Sequence, residues 1–290
     1  LNRAFFNSFK VLMNKILLTR DLKIIREVQL KEIKTLISSF QILEESYRED
    51  IYRANIKIFY NENKIKDFLG KKNISFSLAD NISAVFFPVL YINNEIKSFD
   101  ENIFYTNWET VKIKNELINF ILPMEDLEDI SKITKMRNNL EDLDIDSLVN
   151  KYNVDNYVFA LINYDGKKLH IYLKTNFKNN KTSKNISHTI TNINDELVLN
   201  SILKKLKLDI TDLWKEQNVV NTLMPLTINL NYQHLKLEDL DKLRKNFNEM
   251  RIIDYYTLEE FNTNSSIFKI YYYGNPKKLR SELSKFGYML

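Results

Sequence analysis

The chain has 290 residues, 44% of them hydrophobic and 28% charged, with 18 Phe and 16 Tyr; that excludes intrinsic disorder and leaves length for one large or several small domains. Its 42 basic and 38 acidic residues leave a net charge of only +4, so no strongly basic domain is implied. Zero Cys and four Gly exclude disulfides, thiolate catalysis and Cys-bound metals, and leave no glycine cluster for a phosphate-cradling loop, a nucleophile turn or a dinucleotide fingerprint.

The first element is a helical stripe of Leu1, Ala4, Phe5, Phe9, Leu12, Met13, Ile16 and Leu17, interrupted too often by Arg3, Lys10 and Lys15 for a membrane span. The stripe begins at the first residue, so an upstream segment is expected, and a signal peptide would belong there. A shorter helical stripe runs from Leu30 to Phe40. Residues 40–47 and 52–60 predict two strands about a turn at Arg48 to Asp50. In the second, Tyr52, Ala54, Ile56, Ile58 and Tyr60 alternate with polar residues as a half-buried strand requires. A helix over 61–69 is expected to close at Gly70 in left-handed backbone. The apolar strand Ser83 to Ile92 carries Pro88, which predicts an edge or a bulge.

Residues 117–123 predict a short strand, followed by helices near 125–136 and 145–152. Between these helices Asp142, Asp144 and Asp146 have the spacing of a calcium loop without its central Gly or closing Glu, and helix capping by Asp144 or Asp146 is the simpler reading. A hairpin of 157–164 with 168–177 is joined at Asp165-Gly166. A third strand near 184–192 extends it, and 195–221 reads as a helix in two pieces. The C-terminal stretch predicts a strand over 226–232, a helix through Leu240 to Met250, strands at 251–257 and 267–273, a helix with Asn275 as cap and Pro276 as first residue, a stop at Gly287, and a final short strand Tyr288 to Leu290. That order, β-α-β-β-α-β, is ferredoxin-like. The expected fold class is α+β, small α/β sandwich units with antiparallel or mixed sheets, divided into residues 1–116, a central 117–222 with a basic hairpin, and a ferredoxin-like 223–290.

Three residue sets could carry function. Lys168, Tyr172 and Lys174 alternate on one face of the hairpin, in a lysine-rich stretch that could meet a phosphate backbone or an anionic membrane, although lysines on an exposed ribbon also discourage edge pairing. Lys269, Tyr271 and Tyr273 share one face of a central strand, as stacking aromatics do in RNA-recognition modules, but without the Gly-aromatic motif. After Pro123 come Glu125, Asp126, Glu128 and Asp129. Asp126 and Asp129 could form an acid–base pair, whereas acids in a first helical turn also stabilise the helix dipole. His170, His188 and His234 are isolated in sequence, with no metal-ligand spacing, and no cofactor is expected.

Several segments together resemble one family: YRANIKIFYNENKIKDFL at 52–69, the strand with Pro88, Trp108, ILPMEDLEDI at 121–130, DSLVNKYNVDNYVFALI at 146–162 and the ending YYYGNPKKLRSELSKFGYML. The chain is similar there to the bacterial domain of unknown function 2066 family, whose strand-Pro element is followed by a small residue and Asp-Leu-x-Asp. Here Met124 and Glu125 precede Asp126-Leu127-Glu128-Asp129. The resemblance implies an exported, periplasmic protein of a Gram-negative envelope, with a signal peptide upstream, and assigns no catalytic residue. The resulting expectation is a non-enzymatic envelope protein that binds another macromolecule, a protein or envelope component, through one of the two lysine–tyrosine faces. Single-stranded nucleic-acid binding, and hydrolase or transferase chemistry at Asp126 and Asp129, are the alternatives.

Overall fold

The computed structural model describes residues 1–49, 51–124, 126–136, 143–190, 192–220, 225–274 and 276–289. Contacts divide the chain into two units, residues 1–78 with 218–290, and residues 79–217. The division differs from three consecutive units because strand pairing is non-local. The expected boundary at 116/117 falls inside one unit, where the strand after it pairs back onto the strand at 82–92, and the chain re-enters the first unit after Gln217.

The first unit begins with α1 (Asn2–Ile16), a 3-10 turn (Asp21–Glu27), α2 (Leu30–Leu36), β1 (Ile37–Arg48), β2 (Ile51–Tyr60), α3 (Glu62–Lys71) and β3 (Phe76–Ser77). Phe5, Phe9 and Met13 of α1 pack with Ile33 and Leu36 of α2 and Ile65, Phe68 and Leu69 of α3 in one core. The second helical stripe is shorter than predicted: Phe40 belongs to β1, whose ring meets Phe5 edge-on at 5.6 Å. Gly70 does not end α3 in left-handed backbone. It lies inside the last turn, and Asn73 takes the left-handed position at φ 54°, with its N–H on the Gly70 carbonyl and the Ile74 N–H on the Leu69 carbonyl.

The second unit contains β4 (Ile82–Ile92), β5 (Glu95–Ile96), α4 (Ile103–Thr106), β6 (Ile118–Ile121), α5 (Leu127–Lys135), α6 (Ile145–Val149), β7 (Tyr157–Tyr164), β8 (Lys168–Phe177), β9 (Asn180–Thr189) and α7 (Glu196–Glu216). Its mixed sheet runs β5-β4-β7-β8-β9, with β6 also on β4, and β4 lies parallel to both β6 and β7. A parallel strand covered on both faces reads as a continuous apolar run, which explains ISAVFFPVLYI. Ala84, Phe86 and Leu90 face a core shared with α7, and Val85, Phe87, Val89 and Tyr91 face one shared with α6. The helix predicted in two pieces is the single α7, capped by Asp195, because Ile210 and Trp214 continue its buried stripe through the polar residues around them.

Pro88 lies in this central strand, not at an edge or bulge. It falls between the stretch of β4 that pairs with β6 and the stretch that pairs with β5. Its carbonyl accepts from Asn102 Nδ2 at 3.1 Å; a residue's N and O share one side of a strand, so the missing N–H faces the same gap and deprives no strand of a bond. Asn102 is fully buried and its Oδ1 also accepts from the N–H groups of Phe104 and Tyr105, capping α4.

Returning to the first unit, the chain forms β10 (Val219–Val220), paired with β3, then β11 (Leu226–Gln233), α8 (Leu237–Glu249), β12 (Ile253–Phe261), β13 (Ser265–Tyr272) and α9 (Pro276–Lys285). The sheet order β11-β13-β12, with α8 and α9 packed on one face, is ferredoxin-like without its fourth strand. Tyr288 and Met289 are not in a strand. Leu290 and the expected cap Asn275 lie outside the described residues, as do Glu125 and Asp142. Gly287, at φ 86°, ends α9 as predicted, with the Tyr288 N–H on the Leu283 carbonyl.

Both tryptophans, Trp108 and Trp214, belong to the second unit, so their fluorescence reports on it alone. Asn102→Ala removes a buried cap and leaves the Pro88 carbonyl without its donor, and should lower that unit's stability in urea by about 2–3 kcal/mol. The exposed-cap control in the other unit, Asn61→Ala, should leave the tryptophan transition where it is.

Candidate interaction surfaces

The predicted basic face is present on β8: Lys168, Tyr172 and Lys174 pair with Thr189, Asn185 and Ser183 of β9, away from the α7 core. Its surroundings are electrically balanced. Lys178 pairs with Asp80 at 3.3 Å, Lys181 with Asp146 at 2.5 Å and Lys184 with Asp209 at 3.4 Å. The hairpin turn is displaced by one residue from the prediction, because the Asp165 N–H bonds the Lys168 carbonyl and the central pair becomes Gly166 and Lys167. Only Gly166 takes positive φ, and Asp165 Oδ1 accepts from the N–H groups of Lys167 and Lys168, which holds its carboxyl below the usual range.

Lys269 and Tyr271 share the face of β13 opposite α8 and α9, with Asn229 and Thr227 of β11 and Thr257 and Tyr255 of β12 beside them. The ring of Tyr271 is already stacked on Tyr255, centroids 4.0 Å apart and planes within 12°, and Lys269 Nζ lies 5.6 Å from its centroid. A base could stack on Tyr271 only by parting that pair. Tyr273 does not join this face. It lies one residue beyond β13, only 9% exposed, in the core formed by α1, α2 and α3, with Lys66 over its ring.

Asp126 and Asp129 are brought together by Lys151, whose Nζ lies 2.8 Å from Asp126 Oδ2 and 2.5 Å from Asp129 Oδ2. Asp126 also caps α5 by accepting from the Glu128 N–H. The Lys151 ammonium, followed by that cap bond, holds the Asp126 carboxyl below its ordinary value. Partial burial works against the charge on Lys151, and the two carboxylates overcome it, so its pKa is raised. A general acid needs a carboxyl pushed the other way; this constellation braces α5 against the residues after α6. Asp144 caps α6 through the Ser147 N–H, and among the described residues no three His, Asp or Glu gather as a metal site would require.

The histidines serve three local purposes. His170 Nδ1 lies 3.0 Å from Ser187 Oγ on the exposed side of the β8–β9 ribbon. Burial, then the neighbouring Lys205, lowers the pKa of His188. His234 is buried, with Nε2 2.9 Å from Ser266 Oγ, at the edge of an open groove of about 580 Å³ between Leu235, Leu237 and Phe261. Ser266 has no exposed surface, so its hydroxyl is unreachable as a nucleophile.

An exposed apolar surface lies on the β1–β2 ribbon, where Ala54, Ile56, Ile58 and Tyr60 of β2 are half-buried as their alternation predicts and Tyr52 is exposed. The β1–β2 ribbon is a two-stranded sheet with no further strand. Its register places Phe40 opposite Ile58, Ile42 opposite Ile56, Glu45 opposite Ala54 and Tyr47 opposite Tyr52. Directly opposed residues share a face, so one side is an apolar ladder running from the core outward. Near the base, Ile37, Ile58 and Tyr60 pack against the helices and Phe40 meets the Phe5 ring; farther out, no described residue joins the ladder to that core. On that side Phe40, Ile42, Tyr47 and Tyr52 are between 45% and 67% exposed; Ile51 and Phe59, across from Arg48 and Ser39, lie on the other. A bulge at Leu43 moves β1 by one residue and keeps Tyr47 on the apolar side. Parity along β1 alone hides this, since Phe40 and Ile42 are even-numbered and Tyr47 is odd.

Lys151→Met leaves the buried Asp129 without its cation and should cost the second unit about 1–3 kcal/mol in urea. The pH dependence has a definite sign. Because the folded pKa of Asp126 lies below its ordinary 3.8, its contribution is complete above the unfolded value and is lost as pH falls through the folded one. Acid unfolding of Lys151→Met should therefore show a shallower dependence on pH below about 4 than the parent chain.

No protein-family model, no curated protein and no solved structure matches this chain.

Proposed function

We propose that this chain is a non-enzymatic protein that acts by binding another protein, and that the apolar face of the β1–β2 ribbon is its docking surface. The observation that carries this reading is the uncovered ladder of Phe40, Ile42, Tyr47 and Tyr52. With aromatic side chains of roughly 200 Å² each about half exposed, its area is on the order of 400 Å², which is large for a monomer's surface patch. An isolated two-stranded hairpin is marginal in water. A partner seated on the apolar side would supply the third layer that the ribbon lacks, while Gln41, Lys57, Ser46 and Arg53 keep the reverse side wet. The envelope location implied by the family resemblance belongs to the same proposal. It is checked separately, by fractionation of cells making the full-length product.

A photo-cross-linking amino acid at Ile42 or Tyr47, introduced into the chain in its native cells, should yield one discrete protein adduct, and the same probe at Arg53 on the polar side should not. Tyr52→Asp should abolish the adduct while leaving the urea transition unchanged, because the side chain is 56% exposed. Absence of an adduct at both apolar positions, or equal capture at Arg53, would sink the reading.

A further inference from the structure

Strands at the edge of a sheet offer unpaired N–H and C=O groups to any other strand, and proteins blunt them with charge, proline, bulges or shortness. Five long edges occur among the described strands, and four are blunted. The β12 edge carries Asp254, Glu259 and Glu260 and two register breaks against β13. The β9 edge carries Lys181 and Lys184. In the ribbon, β1 has two register breaks and two glutamates, and β2 has Arg53 and Lys57.

The exception is β11. Its sequence, LTINLNYQ, contains no charged residue and no proline, and its eight residues pair with β13 without a register break. Among the described strands only β13 flanks it, so about half of its backbone groups point outward to an edge that no described strand pairs with. This is the edge where the fourth strand of a ferredoxin-like sheet would lie. Leu226 and Ile228 oppose the buried Tyr272 and Ile270 on the side that α8 and α9 cover, yet remain 43% and 37% exposed. The helical layer stops short of them.

We propose that two copies of this chain pair through β11, antiparallel about a two-fold axis, joining two three-stranded sheets into one of six strands. A two-fold pairing sets a strand against itself, so its pattern must read alike in both directions, and any charge in it would be met by its own sign. The pattern of β11 satisfies both requirements. With Asn229 on the axis, Ile228 faces Leu230 of the second copy, Leu226 faces Tyr232, and Thr227 faces Asn231: apolar meets apolar on the helix-covered side, and polar meets polar on the other. The lysines of β9 and the acids of β12 would repel their counterparts in the same arrangement. Seven paired residues form a smaller contact than the roughly 800 Å² per partner of a standard interface, so this dimer dissociates on dilution.

Sedimentation velocity of the full chain over a roughly hundredfold concentration range should show a monomer–dimer equilibrium. Asn229→Lys, an exposed change that sets two ammonium groups on the axis, should raise the dimer dissociation constant about tenfold or more, while repulsion from Lys269, directly opposite on β13, costs the monomer only a small shift of the urea transition. The chain has no Cys, so Thr227→Cys, Asn229→Cys and Asn231→Cys give a clean disulfide scan; oxidation should link the dimer most efficiently at Asn229→Cys, the position on the axis, and less at the other two. A chain that stays monomeric overturns the proposal. So does a dimer that Asn229→Lys leaves intact and that none of the three cysteines cross-links. Ile42→Asp, in the ribbon, should leave self-association untouched, which separates this pairing from the docking surface proposed above.

Discussion

Tight reversals of a chain demand residues at positive φ, and this chain meets that demand with almost no glycine. Among the described residues, Glu49, Asn73, Asn93, Asn94, Asn115, Asn153, Lys178 and Asn179 take left-handed backbone alongside Gly166, Gly274 and Gly287. Asparagine dominates because its short side chain can satisfy nearby backbone groups and so pays least of the roughly 1–2 kcal/mol that a Cβ costs there. Asn93-Asn94 closes the β4–β5 turn, Lys178-Asn179 closes β8–β9, and Asn73 ends α3. The two hairpin turns among them each fix a register. Since a one-residue slip would turn a strand's apolar side to solvent, the buried faces of the second unit depend on these few dihedrals.

The sheets then differ in how they are covered. β4 is covered on both faces, with Phe86 stacked on Trp108 at 3.7 Å on one side and Phe87 against Phe159 on the other. The C-terminal sheet is covered on one face, and its open side is closed at its centre by the Tyr255–Tyr271 stack. Only the base of the ribbon is covered. Apolar surface left in water costs roughly 25 cal/mol per Å², so an apolar ladder kept in the open is a more informative feature than the scattered lysines of β8 and β9, of which Lys181 and Lys184 each meet a carboxylate. At Asp126 and Asp129, likewise, the lysine between two carboxylates holds two elements together.

Element type was largely legible in the sequence. The stripes of α1 and α8, the alternation of β2 and β11, the Pro276 start and Gly287 stop of α9 all follow from local geometry and from which residues tolerate it. The reading failed where a non-local contact outranked a local signal. Pro88 was compatible with a central strand because Asn102, fourteen residues away, fills the gap its nitrogen faces. Gly70 lost its expected role to Asn73 because a helix can run on past a glycine when an asparagine follows. Tyr273 kept the parity of Lys269 and Tyr271 but left the strand and entered another core.

By itself, then, the sequence determined the α+β class, the order of the longer helices and strands, the absence of cysteine and glycine-loop chemistry, and the three-residue face of β8. These depend on composition and on periods of 2 and 3.6 residues, which a single chain displays openly. Tertiary structure alone decided which alternating strands would find cover. β2 and β7 both alternate or run apolar, yet β7 lies between β4 and β8 while β2 has one neighbour and an open face. Cover is a property of what the rest of the chain brings to a strand, and pairing partners far apart in sequence leave no mark in the strand's own residues.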